Sequence, residues 1–405
     1  MRITLKQVQC RLHEARSMNF DIIIIGGSFA GMTAALALPR DLKIAVIEKQ
    51  DIVNHDRKRD GRAYAISSAS LKLFHKIGIY DELQTHAGKI SDIKITDHNS
   101  PFILDFLGRE VDEKEDQLGQ IIENFHIYNA LRNQMLQREN IKIFSPNFYQ
   151  KIEFLDDVKL ELDDGKILEA KLLLACDGRL SRLRELYQIY TTRKDYHQTA
   201  IVFNISHQHP HQNVAYEKFF PGGPLAILPF KDQHQSSIVW VAKDEIAQAI
   251  IELDDKNFIH QLQTKMEDCL GEIEVISEKF SYPLFAIEAD KFYFEKMLLV
   301  GDAACGVHPI AGQGFNLAIS GIKILCELLE QNLFCGLKIS AQSLIDAYNK
   351  KAKITAKKML IATDILNSLF ETKNFPISLA RGFGLGLVNK LPRLKNFFIK
   401  SAGGF

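Results

Sequence analysis

The hexapeptide Gly26-Gly27-Ser28-Phe29-Ala30-Gly31 sits between an unbroken apolar run, Phe20 to Ile25, and a segment of helical composition, Ala30 to Leu38. Pro39 and a second apolar run, Lys43 to Ile47, then lead to Glu48. This is the pattern of a strand, a tight turn, a helix and a second strand. Strands apolar at every position belong to a parallel sheet covered on both faces. Gly26 permits the turn and Gly31 permits close contact between helix and strand, while the helix N-terminus offers free N–H groups and a positive dipole end. A pyrophosphate suits that arrangement. An acidic residue about twenty positions further on accepts ribose hydroxyls and repels a 2′-phosphate. The expected ligand is therefore FAD or NAD rather than NADP, held by Gly26, Gly27, Ser28, Gly31 and Glu48. Ser28 replaces the middle glycine of the usual fingerprint and brings a hydroxyl toward the phosphates.

Two later apolar runs end in similar turns. Leu172 to Ala175 leads into Asp177-Gly178, with a helix expected from Ser181 to Arg184. Met297 to Val300 leads into Gly301-Asp302, where a carboxylate can hold the ribityl or ribose hydroxyls of a flavin. After it, Pro309, Gly312 and Gly314 open a helix whose N-terminus complements the negative charge near N1 and O2 of a reduced flavin. Between these turns, Ala200 to Ile205, Ala215 to Phe220, Pro224 to Phe230 and Ser236 to Ala242 read as strands of an inserted, mainly antiparallel sheet. From Ile339 onward the pattern is helical, with Lys-rich faces.

The bulk properties exclude several other readings. With 405 residues, 46% of them apolar, the chain can bury a core of two or three domains. Fifty basic and fifty acidic residues balance, so no overall field recommends nucleic acid as partner. The six cysteines form no CxxC pair, which argues against a zinc site or a disulfide framework and fits a reducing cytoplasmic compartment. His207, His209 and His211 alternate in HQHPHQ without other ligands at metal spacing, and are expected in a solvated loop. No run reaches the roughly twenty apolar residues of a spanning helix. Residues 1–17 are basic and read either as a targeting segment or as the product of a start codon placed too far upstream.

The order and spacing of the three turns resemble the p-hydroxybenzoate hydroxylase fold of single-component flavin monooxygenases. The phrases DGRAYAISSASLKLFHKIGI (60 to 79), LGQIIEN (118 to 124), GGPLAILPF (222 to 230), HPIAGQGFNL (308 to 317) and ATDILNSLF (362 to 370) are similar to its ubiquinone-biosynthesis branch. The resemblance runs from Met18 to Phe405. It implies an α/β fold: a Rossmann-type, three-layer FAD-binding domain with a parallel sheet (18–84, 118–190 and 282–338), an inserted mainly antiparallel substrate domain (85–117 and 191–281), and a C-terminal helical region (339–405). It further implies that Arg62 contacts the FAD phosphates, that Asn124 and Asp177 lie against the flavin nucleotide, and that Asp302 binds the ribityl region. Pro309, Gly312, Gln313, Gly314, Phe315 and Asn316 would line the isoalloxazine ring, with His308 behind them. Where the family carries an Arg-Asp pair, this chain has Ser320 and Gly321.

The activity implied is hydroxylation of the aromatic ring of a polyprenylated phenol or quinol, with O2 reacting through a flavin C4a-hydroperoxide. Electrons would come from NAD(P)H or a reductase partner. No catalytic side chain is assigned, since the cofactor carries the chemistry. Phe203, Phe219, Leu225 and Ile227 are candidates either for substrate contact or for plain core. A flavin reductase of prenyl lipids and a non-catalytic scaffold among ubiquinone-synthesis proteins stay open, whereas a tryptophan-rich halogenase is disfavoured because Trp240 stands alone. After Glu371 the chain carries six Lys and Arg residues and no acid, with Phe383, Leu387, Leu391, Leu394 and Phe398 spaced as one helical face that Pro392 splits into two short helices. That tail is expected either to dock peripherally on the inner membrane or a partner, or to pack on the flavin domain.

Overall fold

The computed structural model describes residues 17–54, 59–98, 103–110, 117–267, 269–308 and 313–371. Strand Met18–Ile25 lies inside the first sheet because Ile22, Ile23 and Ile24 need cover on both faces, and all three are wholly buried. It pairs in parallel with Ile44–Ile47 on one side and Ile167–Ala175 on the other, and Ile141–Phe144 and Met297–Leu299 continue the parallel order outward. Helix Phe29–Ala37 connects the first two strands and is buried along nearly its whole length. It stops one residue earlier than expected because Leu38 precedes Pro39 and is extended, with ψ of 151°.

Among the described residues the second sheet has nine strands. Thr191–His207, Gln235–Lys243, Gly223–Pro229 and Val214–Phe220 run antiparallel in that spatial order, with Phe280–Ala289 on the far side of Thr191–His207. Asp92–Asp97 adds to Val214–Phe220 in parallel and pairs with Ile103–Leu107. The α/β class with a separate, mainly antiparallel sheet is thus as the sequence implied. A third sheet joins Ala63–Ser67, Gly119–Glu123 and Gly88–Ile90.

Side chains alternate across the large sheet with a period of two. One face carries Ile201, Phe203, Ile205, Leu225, Ile227, Ile238 and Trp240 against Phe258 and Leu262 of helix Asp255–Met266. The other face turns toward the nucleotide-binding part. There Ala215, Phe219 and Phe230 pack on Ala63, Ala65 and Ile121 of the small sheet, and Ala200, Val202, Val241 and Leu284 form a separate apolar group.

The histidine-rich segment is corrected in part: His209 is exposed as expected, but its two neighbours are not. His207 and His211 are buried, not solvated. The His207 ring lies 2.8 Å from the His209 carbonyl and 3.0 Å from Ser236 Oγ, and His211 Nε2 lies 3.0 Å from the carbonyls of Phe230 and Asp232. A neutral imidazole supplies one donor and one acceptor, so it is satisfied inside without a metal. Burial pushes both rings below the ordinary histidine range.

Gly321 lies inside helix Gln313–Phe334. A β-carbon there would meet only Tyr348 Oη at 3.8 Å, beside a small cavity lined by Leu317, Ala352 and Ala356. Glycine destabilises a helix interior by about 0.5–1 kcal/mol relative to alanine. Gly321→Ala is therefore expected to stabilise the protein by about 1 kcal/mol, seen as a higher denaturant midpoint at unchanged slope.

Candidate active site at the strand ends

Parallel pairing sets the three turns side by side. Ile25 is in register with Ala175, and Ala175 with Leu299, so the chain leaves the sheet at Gly26, Cys176 and Val300 from adjacent strands. Ligands of open α/β sheets bind outside these carboxyl ends.

Gly26 has φ of +105°, and a β-carbon on it would lie 2.3 Å from the Cys176 carbonyl oxygen. One on Gly31 would lie 1.8 Å from the Gly26 oxygen. Both positions are closed to any side chain by backbone, which has nowhere to move. Glu48 fixes the turn from the next strand: its Oε2 accepts from Gly27 N at 2.6 Å and its Oε1 from Gln50 N at 2.9 Å. Ser28 is the N-cap of helix Phe29–Ala37, yet its exposed side chain makes no capping bond. Its hydroxyl is left uncommitted at the helix N-terminus, the end of a helix that suits a phosphate.

Asp177 caps the second turn. Its Oδ2 accepts from Leu183 N at 3.1 Å, while Oδ1 is buried with no partner. A buried orphan acceptor calls for a donor that the protein itself does not supply. Arg184, which the motif reading treated only as helix start, is buried and donates to the Ala303 carbonyl at 2.9 Å and the Arg179 carbonyl at 2.8 Å. It ties the second turn to the third. Arg179 also escaped the sequence reading. Its Nε and Nη2 both donate to Asp302 Oδ2 at 3.3 Å, and its guanidinium stacks 5.3 Å from the Phe285 ring of the large sheet.

Arg62 and Asn124 meet through a residue not anticipated, Asp60. Arg62 Nη2 donates to Asp60 Oδ2 at 2.6 Å, and Asn124 Nδ2 donates to the same oxygen at 3.1 Å. Burial pushes the Asp60 carboxyl up, but the Arg62 bonds and charge outweigh it and hold the net value below the ordinary range. The Arg62 guanidinium also lies 5.1 Å from the Tyr282 ring, so it spans from the small sheet to the large one.

At the third turn, Asn316 accepts from Ser67 N at 3.0 Å and Ser70 Oγ at 2.8 Å and donates to the Ala65 carbonyl at 2.7 Å. Phe315 packs among Phe29, Tyr64 and Phe74. These two side chains anchor the helix start to the small sheet. Gln313 is buried beside them, and a β-carbon on Gly314 would find open space. Pro309 and Gly312 lie outside the described residues. His308 is fully buried, with Nε2 3.2 Å from Gln198 Oε1 and its ring edge-on to Tyr196. Burial pushes its pKa down to about 4. Its ring is therefore neutral at physiological pH. Of the substrate candidates, Phe203, Leu225 and Ile227 sit on the helix-covered face, and only Phe219 lies on the face turned toward these turns.

The glycine cradle, the uncommitted Ser28 hydroxyl and the orphan Asp177 oxygen fit FAD. Asp302→Ala is expected to release Arg179 and leave a folded protein depleted of flavin, read from its visible absorbance. Full flavin retention would remove Asp302 from the cofactor site.

Comparison with known proteins bears on the same elements. Residues 19–363 match the family model described as FAD binding domain. A ubiquinone hydroxylase of Rhodospirillum rubrum, UbiL, is 32% identical over 387 residues, covering 95% of this chain and 89% of the relative. UbiM of Neisseria meningitidis, also a ubiquinone hydroxylase, is 30% identical over 394 residues, covering 96% and 85%. The solved p-nitrophenol 4-monooxygenase PnpA of Pseudomonas putida shares the fold at a TM-score of 0.77 and 15% identity, over 95% of this chain and 98% of that one. The site and fold define an FAD-dependent monooxygenase. Within that class the chain belongs to the family of ubiquinone-biosynthesis flavin hydroxylases.

Proposed function

We propose that this protein hydroxylates the aromatic ring of a polyprenylated ubiquinone precursor with O2, using electrons from NAD(P)H or a reductase partner. The observation that carries this reading is the placement of an apolar sheet face opposite the flavin-binding strand ends. Ala200, Val202, Val239, Val241 and Leu284 on that face suit a greasy ring, and Arg62 and Arg179 close its edges by stacking on Tyr282 and Phe285. Bound FAD supplies the activation of dioxygen. The protein's part is to hold the ring and exclude water, because a wet site diverts oxygen to peroxide.

Peripheral docking through residues 372–405 belongs to the same proposal; those residues lie outside the described ones. Among the described residues no helix is long and apolar enough to cross a membrane. The test is isotopic: with labelled dioxygen the new hydroxyl is expected to carry the label. Label arriving from water would overturn the reading.

A further inference from the structure

Cross-strand register places six residues in one row on the sheet face turned toward the flavin part: Ile95, Glu217, Ala226, Val239, Val202 and Phe280. Five are apolar and one is a carboxylate. Phe280 at the end of the row lies against Gly61 of the nucleotide-binding part, which confirms the direction in which the row faces. Glu217 is 8% exposed and is flanked along its own strand by Ala215 and Phe219 of the apolar cluster between the large and small sheets. Among the described residues its carboxylate has no hydrogen bond and no ion pair.

Its neighbours on the strand do not help. Lys218 points to the opposite face and is committed to Glu267 and the Met266 carbonyl, each at 2.8 Å. Of the titratable groups on adjoining elements, Asp97 lies on the same face of the neighbouring strand, in register with Phe219. Asp364, on helix Gln342–Glu371, which packs against this strand, is bonded to Tyr196 and pairs with Lys194 at 3.0 Å. None is a cation able to balance Glu217.

Leaving a carboxylate in an apolar row opposes folding, and evident structural use is absent. We propose that Glu217 receives the ring hydroxyl of the substrate and acts as its general base, an assignment that rests on the ring-hydroxylation reading above. The phenolic O–H bond breaks, the proton passes to the carboxylate, and the electron pair stays on the phenolate oxygen, enriching the ring carbons ortho and para to it. The carboxylic acid returns the proton to the product as it leaves. Burial alone raises the Glu217 pKa to about 7, which places the acid–base pair in the range where a base works best.

The test uses the FAD-loaded enzyme, reduced with dithionite without air and then mixed with oxygenated buffer holding 2-geranylphenol. Wild type is expected to form hydroxylated product at a rate that rises with pH through about 7. Glu217→Gln and Glu217→Leu are expected to keep flavin and melt no lower than wild type, yet to form product about a hundredfold more slowly, with that pH limb gone. Binding of 2-geranylphenol over its methyl ether, followed by perturbation of the flavin spectrum, should shrink from a clear preference to none in Glu217→Leu. Variants that match wild type in rate and pH profile would overturn the assignment while the hydroxylase reading stands. A wild type that makes no hydroxylated product from the phenol would overturn both.

Discussion

Gly31→Val is expected to yield protein without bound FAD and with stability reduced by about 3 kcal/mol or more. The β-carbon alone would sit 1.8 Å from the Gly26 carbonyl oxygen and 2.9 Å from its carbon, and 3.4 Å from Cys176 Cβ. Overpacking of a core costs about 1–3 kcal/mol when side chains can shift. Here the obstacle is the backbone of the very turn expected to face the pyrophosphate, so relief requires moving helix Phe29–Ala37 off the sheet. Flavin content and a urea melt of the same preparation report the two losses together. Gly321→Ala serves as the control, since a β-carbon there would make only an ordinary contact with Tyr348 Oη at 3.8 Å, and that variant should retain flavin fully. A valine variant that folds with a full complement of FAD would show that the cradle is not where the phosphates bind.

The stability of this protein should also depend on pH through Glu217, with a sign opposite to that of an ordinary paired carboxylate. Its ordinary pKa of 4.5 rises to about 7 in the fold because burial disfavours the charge. The folded state therefore holds this proton more tightly than the unfolded chain does. Below 4.5 the group is neutral in both states and contributes nothing to the pH dependence. As pH rises from there to about 7 the unfolded chain ionises first, and the native state loses stability until both forms are charged. One pKa unit corresponds to about 1.4 kcal/mol, so the loss amounts to roughly 3 kcal/mol.

Histidines act the other way in an overlapping window, since burial holds His308 at about 4 and the fold gains stability as pH rises through that range. The comparison must therefore be made between wild type and Glu217→Gln at each pH, where the histidines cancel. The variant is expected to be the more stable by a margin that is small near pH 4 and largest above pH 7. Urea midpoints across that range measure it. A margin that does not grow with pH would mean the carboxylate is compensated in solution.

What was legible in the sequence is what short-range geometry encodes. A strand that ends in glycine and meets a helix N-terminus specifies its turn within a few residues, so Gly26, Gly27, Gly31 and Glu48 were readable as a nucleotide cradle without any knowledge of the rest of the chain. The same holds for the turns at Asp177 and Asp302, whose strands announce themselves by unbroken apolar runs. Their adjacency was not legible, because it follows from parallel pairing of strands more than a hundred residues apart.

Arg184 and Arg179 escaped notice for that reason: they act across 119 and 123 residues of chain, where local pattern carries no information. Asp60 was passed over because its role depends on Asn124, 64 residues away. His207 and His211 looked solvated because a polar string reads as loop; the His209 carbonyl and Ser236 satisfy the first ring inside, and the carbonyls of Phe230 and Asp232 the second. The large sheet shows the limit most clearly. Its strands were found from composition, but whether Phe203 and Phe219 contact substrate or fill the core was left open. Which face meets the flavin part is decided by how the whole sheet docks, and that docking separates Phe203, Leu225 and Ile227 under their helix from Phe219 and Glu217 on the face toward the small sheet.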